Sequence, residues 1–398
     1  MDAGFFLAFL KQEHMPDFSK KGTVTLTCPL GMTPWLTKEV ETLGFTPKKS
    51  RETGIEIEAS LNDCITLNFW LRTAHRIHFL IDEKKINSVE QLYDWIYSCS
   101  WENWIDSQGY ISVTSRVDHP KIENTQFANL TVKDAIADKM RQETGNRPDS
   151  GSNLNKTVLF LYWDREIARI FVDTSGESLS RRGYRSESVS APMQESLASA
   201  LIYASKWKPG DHFINPMAGG GTIAIEAALM AQNRPPASLR NNFGFMHILG
   251  FDDSYYQEVR RQAKLNTVKN FEGEIIASEI DKNALASAMK NAKNAGVDHL
   301  IHFENCSFEK TSVPNGDGVV MFNPPYGIRL DEDKNLAPLY RQIGDFMKTK
   351  CPGKTGYVLT GNFVLAKKIG LRSSQRIPFF NSTIECRLLE FELYRGSR

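Results

Sequence analysis

The chain has no C-x-x-C pair, no membrane-length apolar run and no dominant charge sign, and each absence removes a class of protein. Its six cysteines (Cys28, Cys64, Cys99, Cys306, Cys351 and Cys386) are scattered, which argues against a disulfide framework or a structural zinc site and for a reducing compartment. The pair His75 and His78 and the remaining histidines also lack metal-ligand spacing, so no metal is expected. The apolar run 4–10 is short, begins beside Asp2 rather than a basic flank, and lacks a clear cleavage site. It reads as an N-terminal helix or extension rather than a signal peptide, and no stretch approaches a membrane span. A soluble, cytoplasmic protein without a membrane partner is expected. Lys and Arg number 48 against 47 Asp and Glu, for a formal net charge of +1, so any nucleic-acid-binding charge must be a local patch.

What is present is ordinary globular composition, 41% apolar and 24% charged over 398 residues, enough for two or three domains with their own cores. Residues 23–27 and 54–59 alternate as strands, and 33–43 and 63–72 carry helical spacing before a strand at 77–81. This order fits a small α+β sandwich. A second unit begins near 88, with helices at 89–96 and 132–143, a strand at 110–116, a loop at 143–155, and a hairpin of 158–163 with 166–172 turning at Asp164-Arg165. A helix at 192–205 opens the last part. Four apolar runs (212–214, 274–277, 301–303 and 319–322) then alternate with helices at 222–231, 254–270 and 282–295. That rhythm predicts an α/β, mostly parallel, doubly wound Rossmann-like sheet. Residues 356–360 and 387–393 suit an antiparallel edge hairpin.

Three segments carry chemistry. The first, Asn215-Pro216-Met217-Ala218-Gly219-Gly220-Gly221-Thr222, lies between a strand and a helix. Its glycines permit a sharp turn and close backbone approach to a ligand, and the helix N-terminus beyond offers free N–H groups. The same residues would serve a plain tight turn. No lysine closes the segment as a phosphate-binding P-loop requires, which disfavours nucleotide hydrolysis. The second is Glu279, followed by Ile280 and Asp281 at the end of the next strand. An acid there can accept from ribose hydroxyls, although helix N-terminal charge would also account for it. The third, Asn323-Pro324-Pro325-Tyr326-Gly327, follows the strand at 318–322. Its prolines fix φ and remove donors, leaving the Asn323 amide oxygen and Pro324 carbonyl free to accept from a planar amino group. Tyr326 could stack on a base.

Asn-Pro-Pro-Tyr after the fourth strand with a glycine loop after the first resembles the amino-group methyltransferases of the class I fold. The segment Asp173-Thr174-Ser175-Gly176-Glu177-Ser178-Leu179, then Arg181-Arg182-Gly183-Tyr184-Arg185 and Ala191-Pro192, is similar to the junction of THUMP-containing RNA guanine-N2 methyltransferases. Val132-Lys133-Asp134-Ala135-Ile136 and Gly145-Asn146-Arg147-Pro148 resemble their THUMP segment. The similarity runs from about residue 23 and is nearest the large-subunit rRNA branch, some of whose members carry a second methyltransferase domain that this chain ends without.

The resemblance implies a ferredoxin-like domain at 23–87, a THUMP RNA-binding domain at 88–173 and an S-adenosylmethionine-dependent methyltransferase domain at 187–398. It implies Asn323, Pro324, Pro325 and Tyr326 at the target base. Cofactor contacts would come from Asn215, Met217, Gly219, Gly220, Gly221, Thr222, Glu279, Ile280 and Ser307, and RNA contacts from Lys133, Arg147, Arg181, Arg182, Tyr184 and Arg185. Asn215 and Ser307 stand where the family often has Asp, which weakens the expected cofactor contacts. The 243–245 segment Phe-Gly-Phe is a further candidate border of the base pocket. The implied activity is N2-methylguanosine formation in 23S rRNA. The alternatives are a tRNA guanine-N2 methyltransferase, a DNA adenine-N6 methyltransferase, and a non-catalytic RNA-binding assembly factor.

Overall fold

Val24 and Leu26 are buried and flanked by exposed or partly exposed threonines in β1 (Gly22–Thr27), the alternation of a strand with one face on a core. The computed structural model describes residues 15–120, 122, 124–185, 193–326 and 332–395. The run 4–10, Ala191-Pro192 and Gly327 lie outside the described residues. β1 is followed by α1 (Thr33–Thr42), β2 (Pro47–Arg51), β3 (Gly54–Ala59), α2 (Leu61–Trp70) and β4 (Arg76–Lys85). Ser60 and Asp63 cap α2 reciprocally, each side chain bonding the other's backbone N–H, which satisfies donors the first turn would otherwise orphan.

The next unit comprises α3 (Val89–Ser98), β5 (Tyr110–Asp118), α4 (Thr125–Thr144), β6 (Asp149–Gly151), β7 (Thr157–Asp164) and β8 (Ile167–Asp173). Gly145 stops α4 at a left-handed φ of 73°. The two units share one eight-stranded sheet of order β2-β3-β1-β4-β8-β7-β5-β6. Its seam is the antiparallel pairing of β4 with β8, from His78 opposite Asp173 to Lys85 opposite Ile167.

The remaining chain forms α5 (Glu195–Ala204), β9 (His212–Pro216), α6 (Thr222–Ala231), α7 (Asp253–Leu265), β10 (Ile275–Glu279), α8 (Lys282–Ala295), β11 (Ile301–Asn305), β12 (Gly318–Phe322), α9 (Glu332–Lys350), β13 (Thr355–Thr360), α10 (Phe363–Ala366), β14 (Gln375–Asn381) and β15 (Ile384–Glu392). Its seven-stranded sheet has the order β11-β10-β9-β12-β13-β15-β14. β11 to β13 are parallel, and β15 is antiparallel to both β13 and β14. Successive residues face opposite layers. Phe213 and Val319 belong to the core that includes α6, whereas Ile214, Val320 and Phe322 pack with Tyr340, Ile343 and Phe346 of α9.

This is the expected α/β, mostly parallel, doubly wound sheet behind α+β units, with local differences. The expected edge hairpin of 356–360 with 387–393 is antiparallel but not the edge, because β14 lies outside β15. Pro378 obscured β14 in the sequence, and edge strands tolerate proline. β2 (PKKSR) has no apolar alternation and is exposed after Pro47. The 143–155 loop contains β6, which pairs parallel to β5. No described helix is long and apolar enough to cross a membrane.

Candidate active site

β9 is bordered by β10 on one side and β12 on the other. The chain reverses its winding direction here, and a parallel sheet opens a crevice at the carboxyl ends of such strands. The glycine loop leaves β9 at this point. Met217 (φ 58°), Gly219 (φ 54°) and Gly221 (φ 78°) are left-handed. A Cβ on Gly219 would meet nothing within 4 Å, so its glycine answers to conformation alone. A Cβ on Gly221 would lie 2.9 Å from Ala288 Cβ, so this glycine lets α8 approach the loop.

Glu279 clamps the loop to β10. One carboxylate oxygen accepts from Gly219 N–H at 2.9 Å and the other from Asp281 N–H at 3.0 Å. Asn291 Nδ2 donates to Gly220 O at 3.2 Å from α8. Between loop, β10 and β12 is a cavity of about 330 Å³, lined by Arg185, Met193, Asn215, Met217, Ala218, Gly219, Gly220, Thr222, Ile223, Glu279, Asp281, Ala284, Asn291 and Asn323.

Two of these residues carry unspent acceptors. Asn215 Nδ2 donates to Met321 O at 2.9 Å, while its buried Oδ1 has no partner among the described residues. Asn323 Oδ1 is likewise shielded and unpartnered. An unsatisfied buried acceptor costs about 1–3 kcal/mol, so both oxygens favour a ligand that brings N–H or O–H donors. Beside them, Tyr326 is half-buried and its hydroxyl accepts from Asn381 Nδ2 at 2.6 Å on β14. Pro325 O accepts from Tyr340 O–H at 3.4 Å.

The structure therefore gathers Asn215, Met217, Gly219, Gly220, Thr222, Glu279 and Asn323 around one cavity. Ile280 is 71% exposed and Ser307 Oγ donates to Glu309 at 2.6 Å. Neither lines the cavity.

The junction turns inward, contrary to expectation. Arg182 and Tyr184 are each 1% exposed, so neither can meet RNA as expected. Tyr184 O–H donates to Glu226 at 3.1 Å, and burial and then the Glu226 charge push its phenol well above its usual range. Arg185 turns inward, donating to Met193 O at 2.8 Å and Thr222 Oγ1 at 3.3 Å, and it reaches the cavity. Its partner Glu195, 3.4 Å away, is raised by burial, with Arg185 opposing. Arg181 stays exposed and pairs with Glu177 at 2.9 Å, and Arg147 is exposed. Lys133 spends its ammonium on Gly151 O at 3.1 Å, tying α4 to β6. Phe243 and Phe245 are fully buried and stacked 5.0 Å apart, away from the cavity lining. Asp281, Ala284 and Asn291 were missed; Asn291 sits on an alanine-rich helix with no local signal for a site.

Residues 182–390 match the RMKL-like, methyltransferase domain, residues 23–78 the RlmL ferredoxin-like domain, and residues 87–173 the THUMP domain. The chain belongs to the RMKL-like methyltransferase family. Among its relatives, the ribosomal RNA large subunit methyltransferase K/L of Syntrophotalea carbinolica is 34% identical over 381 residues, 92% of this chain and 53% of that protein. This chain thus spans about half the length of the curated relatives it matches. Two solved structures share its fold nearly end to end. The methyltransferase SMU.472 complexed with SAH has a TM-score of 0.85 at 26% identity, over 95% of this chain and 100% of the other. A Listeria monocytogenes protein named as an N6-adenine-specific DNA methylase has a TM-score of 0.83 at 26% identity, over 98% of both chains.

Proposed function

We propose that this member of the family is an S-adenosylmethionine-dependent RNA methyltransferase that forms N2-methylguanosine in large-subunit rRNA. The observation that carries the reading is the buried, unpartnered Oδ1 of Asn323, a residue that lines the same cavity as the glycine loop. The cofactor fits the residues present: Gly219 and Gly220 permit close backbone approach, the Asn215 oxygen is an idle acceptor for an aminium group, and Glu279 keeps lone pairs for ribose hydroxyls. When bound, S-adenosylmethionine supplies a methyl group on a cationic sulfur.

The chain's own residues would position the acceptor. Asn323 Oδ1 and Pro324 O accept from the guanine amino group and direct the nitrogen lone pair toward the cofactor side, so catalysis rests on orientation. Tyr326, steadied by Asn381, offers a ring face to the extruded base. The amine proton can leave to solvent after transfer, so no strong base is needed beside Asn323. The THUMP match and the K/L relatives support structured RNA, with rRNA ahead of tRNA, and such a substrate suits a cytoplasmic protein. The domain limits 23–87, 88–173 and 187–398 belong to the same proposal.

Methyl transfer from tritiated cofactor to protein-free large-subunit rRNA, total tRNA and duplex DNA, with nucleoside identification, tests it. N2-methylguanosine in rRNA is expected. Label only in tRNA would overturn the substrate, and N6-methyladenine in DNA would overturn both substrate and chemistry.

A further inference from the structure

Helix α7 buries Tyr256 and Ala263 and presents a polar, cation-rich stripe on its exposed side. Gln257, Arg260, Arg261 and Lys264 fall at i, i+3, i+4 and i+7, the spacing of one helical face. They wall a groove of about 420 Å³ whose other side is Arg234, Pro235 and Ser238, with Phe69 of α2 at its end. The groove lies between the first N-terminal unit and the methyltransferase sheet. Among the described residues, no acidic side chain lines it.

The charges are only partly used. Glu258 engages Arg261 through two 2.7 Å hydrogen bonds. Arg234 Nη1 donates to Ala295 O at 2.7 Å and Gly296 O at 3.3 Å. Arg260 lies over the Tyr256 ring at 5.6 Å. Neither Arg260 nor Lys264 has an acidic partner among the described residues. Like charges four apart on a helix repel. Ser238 Oγ is shielded in the groove wall without a partner among the described residues. Repelling guanidinium and ammonium groups beside an idle hydroxyl suit a series of anionic oxygens.

Arg234 follows the C-terminal end of α6, whose N-terminus is the glycine loop. The helix has 10 residues and spans about 15 Å. The groove is therefore a helix length from the cavity, a separation that a few nucleotides of chain can bridge.

We infer that this groove binds the phosphodiester backbone of the substrate RNA, with Arg260 and Lys264 as principal phosphate contacts. It is a second anchoring site, remote from the methyl-transfer cavity. The inference rests on the RNA reading above. Phosphate contacts of this kind set register and carry no base information.

The test is binding of protein-free large-subunit rRNA over a salt series by wild type, Arg260→Ala/Lys264→Ala and Lys348→Ala/Lys350→Ala. The last pair lies on α9, across the sheet from α6. Loss of two phosphate contacts should reduce the slope of log K against log salt by roughly 1.5 to 2 units and weaken binding about tenfold or more. The α9 pair should stay near wild type, as should SAH binding by calorimetry for both variants. In single-turnover methylation, the groove variant should need more RNA for half-saturation yet reach the wild-type maximal rate. An unchanged slope with active wild type overturns the groove alone, as does an equal loss in the α9 variant. Wild type that binds SAH but no RNA overturns both the groove and the RNA reading.

Discussion

Arg182 Nε lies 3.6 Å from Glu226 Oε1, with the two side chains 1% and 0% exposed. The guanidinium also donates to Leu179 O at 2.5 Å and to Arg72 O, while the carboxylate accepts from Tyr184 and from Ser199 Oγ at 2.6 Å. One buried pair thus joins the end of α2, the junction, α5 and α6. Because α6 begins at the glycine loop, the pair sets the loop against the N-terminal units.

Arg182→Ala should leave Glu226 without its cation and lower stability by about 3–5 kcal/mol, the usual cost of halving a buried pair. The midpoint of denaturant unfolding reads this. The salt slope of RNA binding by the folded fraction should stay at wild type; a slope reduced by about one unit would make Arg182 a phosphate contact after all.

Gly219→Val places a β-branched side chain at φ 54° with open space around its Cβ. The left-handed backbone costs roughly 1–2 kcal/mol for an L residue, and the side chain would project toward the ligand's approach. Calorimetric titration with SAH should show affinity reduced about tenfold or more with the fold intact by circular dichroism. Wild-type affinity would place the cofactor elsewhere.

Asn323→Ala should separate binding from chemistry. In the proposed reading Asn323 meets the acceptor, whereas Glu279 and the glycine loop meet the cofactor. Single-turnover methylation should slow roughly a hundredfold or more, while SAH affinity stays within about twofold. Normal turnover would remove Asn323 from the proposed role.

His75 gives a pH dependence. Its Nε2 lies 3.0 Å from Ser196 Oγ of α5, and burial, then Arg182 and Arg76, push its pKa from 6.5 down to about 4. The folded protein holds this imidazole neutral, so the unfolded chain takes up the proton first as pH falls. Its contribution is present above about pH 6.5 and is lost progressively toward pH 4. His75→Gln should flatten the fall in Tm over that window; an unchanged profile would assign the dependence to other groups.

The sequence made the cavity legible where its chemistry is contiguous. The glycine loop, Glu279 and Asn323 each sit at the end of an apolar run, and strand ends in a parallel sheet converge. It made the junction illegible because the partner of Tyr184 is 42 residues away. An Arg/Tyr cluster in a linker looks like an RNA-facing patch until Glu226, on a helix read only as apolar, turns it inward. β14 was hidden by a proline, and β2 by charged residues that only an exposed edge accepts. The α7 cations escaped notice because their helical spacing matters only once Arg234 and Ser238 stand opposite.

The β4–β8 ladder joins the two N-terminal modules edge to edge. A fragment cut between them would carry β4 with one side of its backbone unpaired, and a long open edge is a template for pairing with another chain. Two segments that match different families by sequence thus complete one sheet between them.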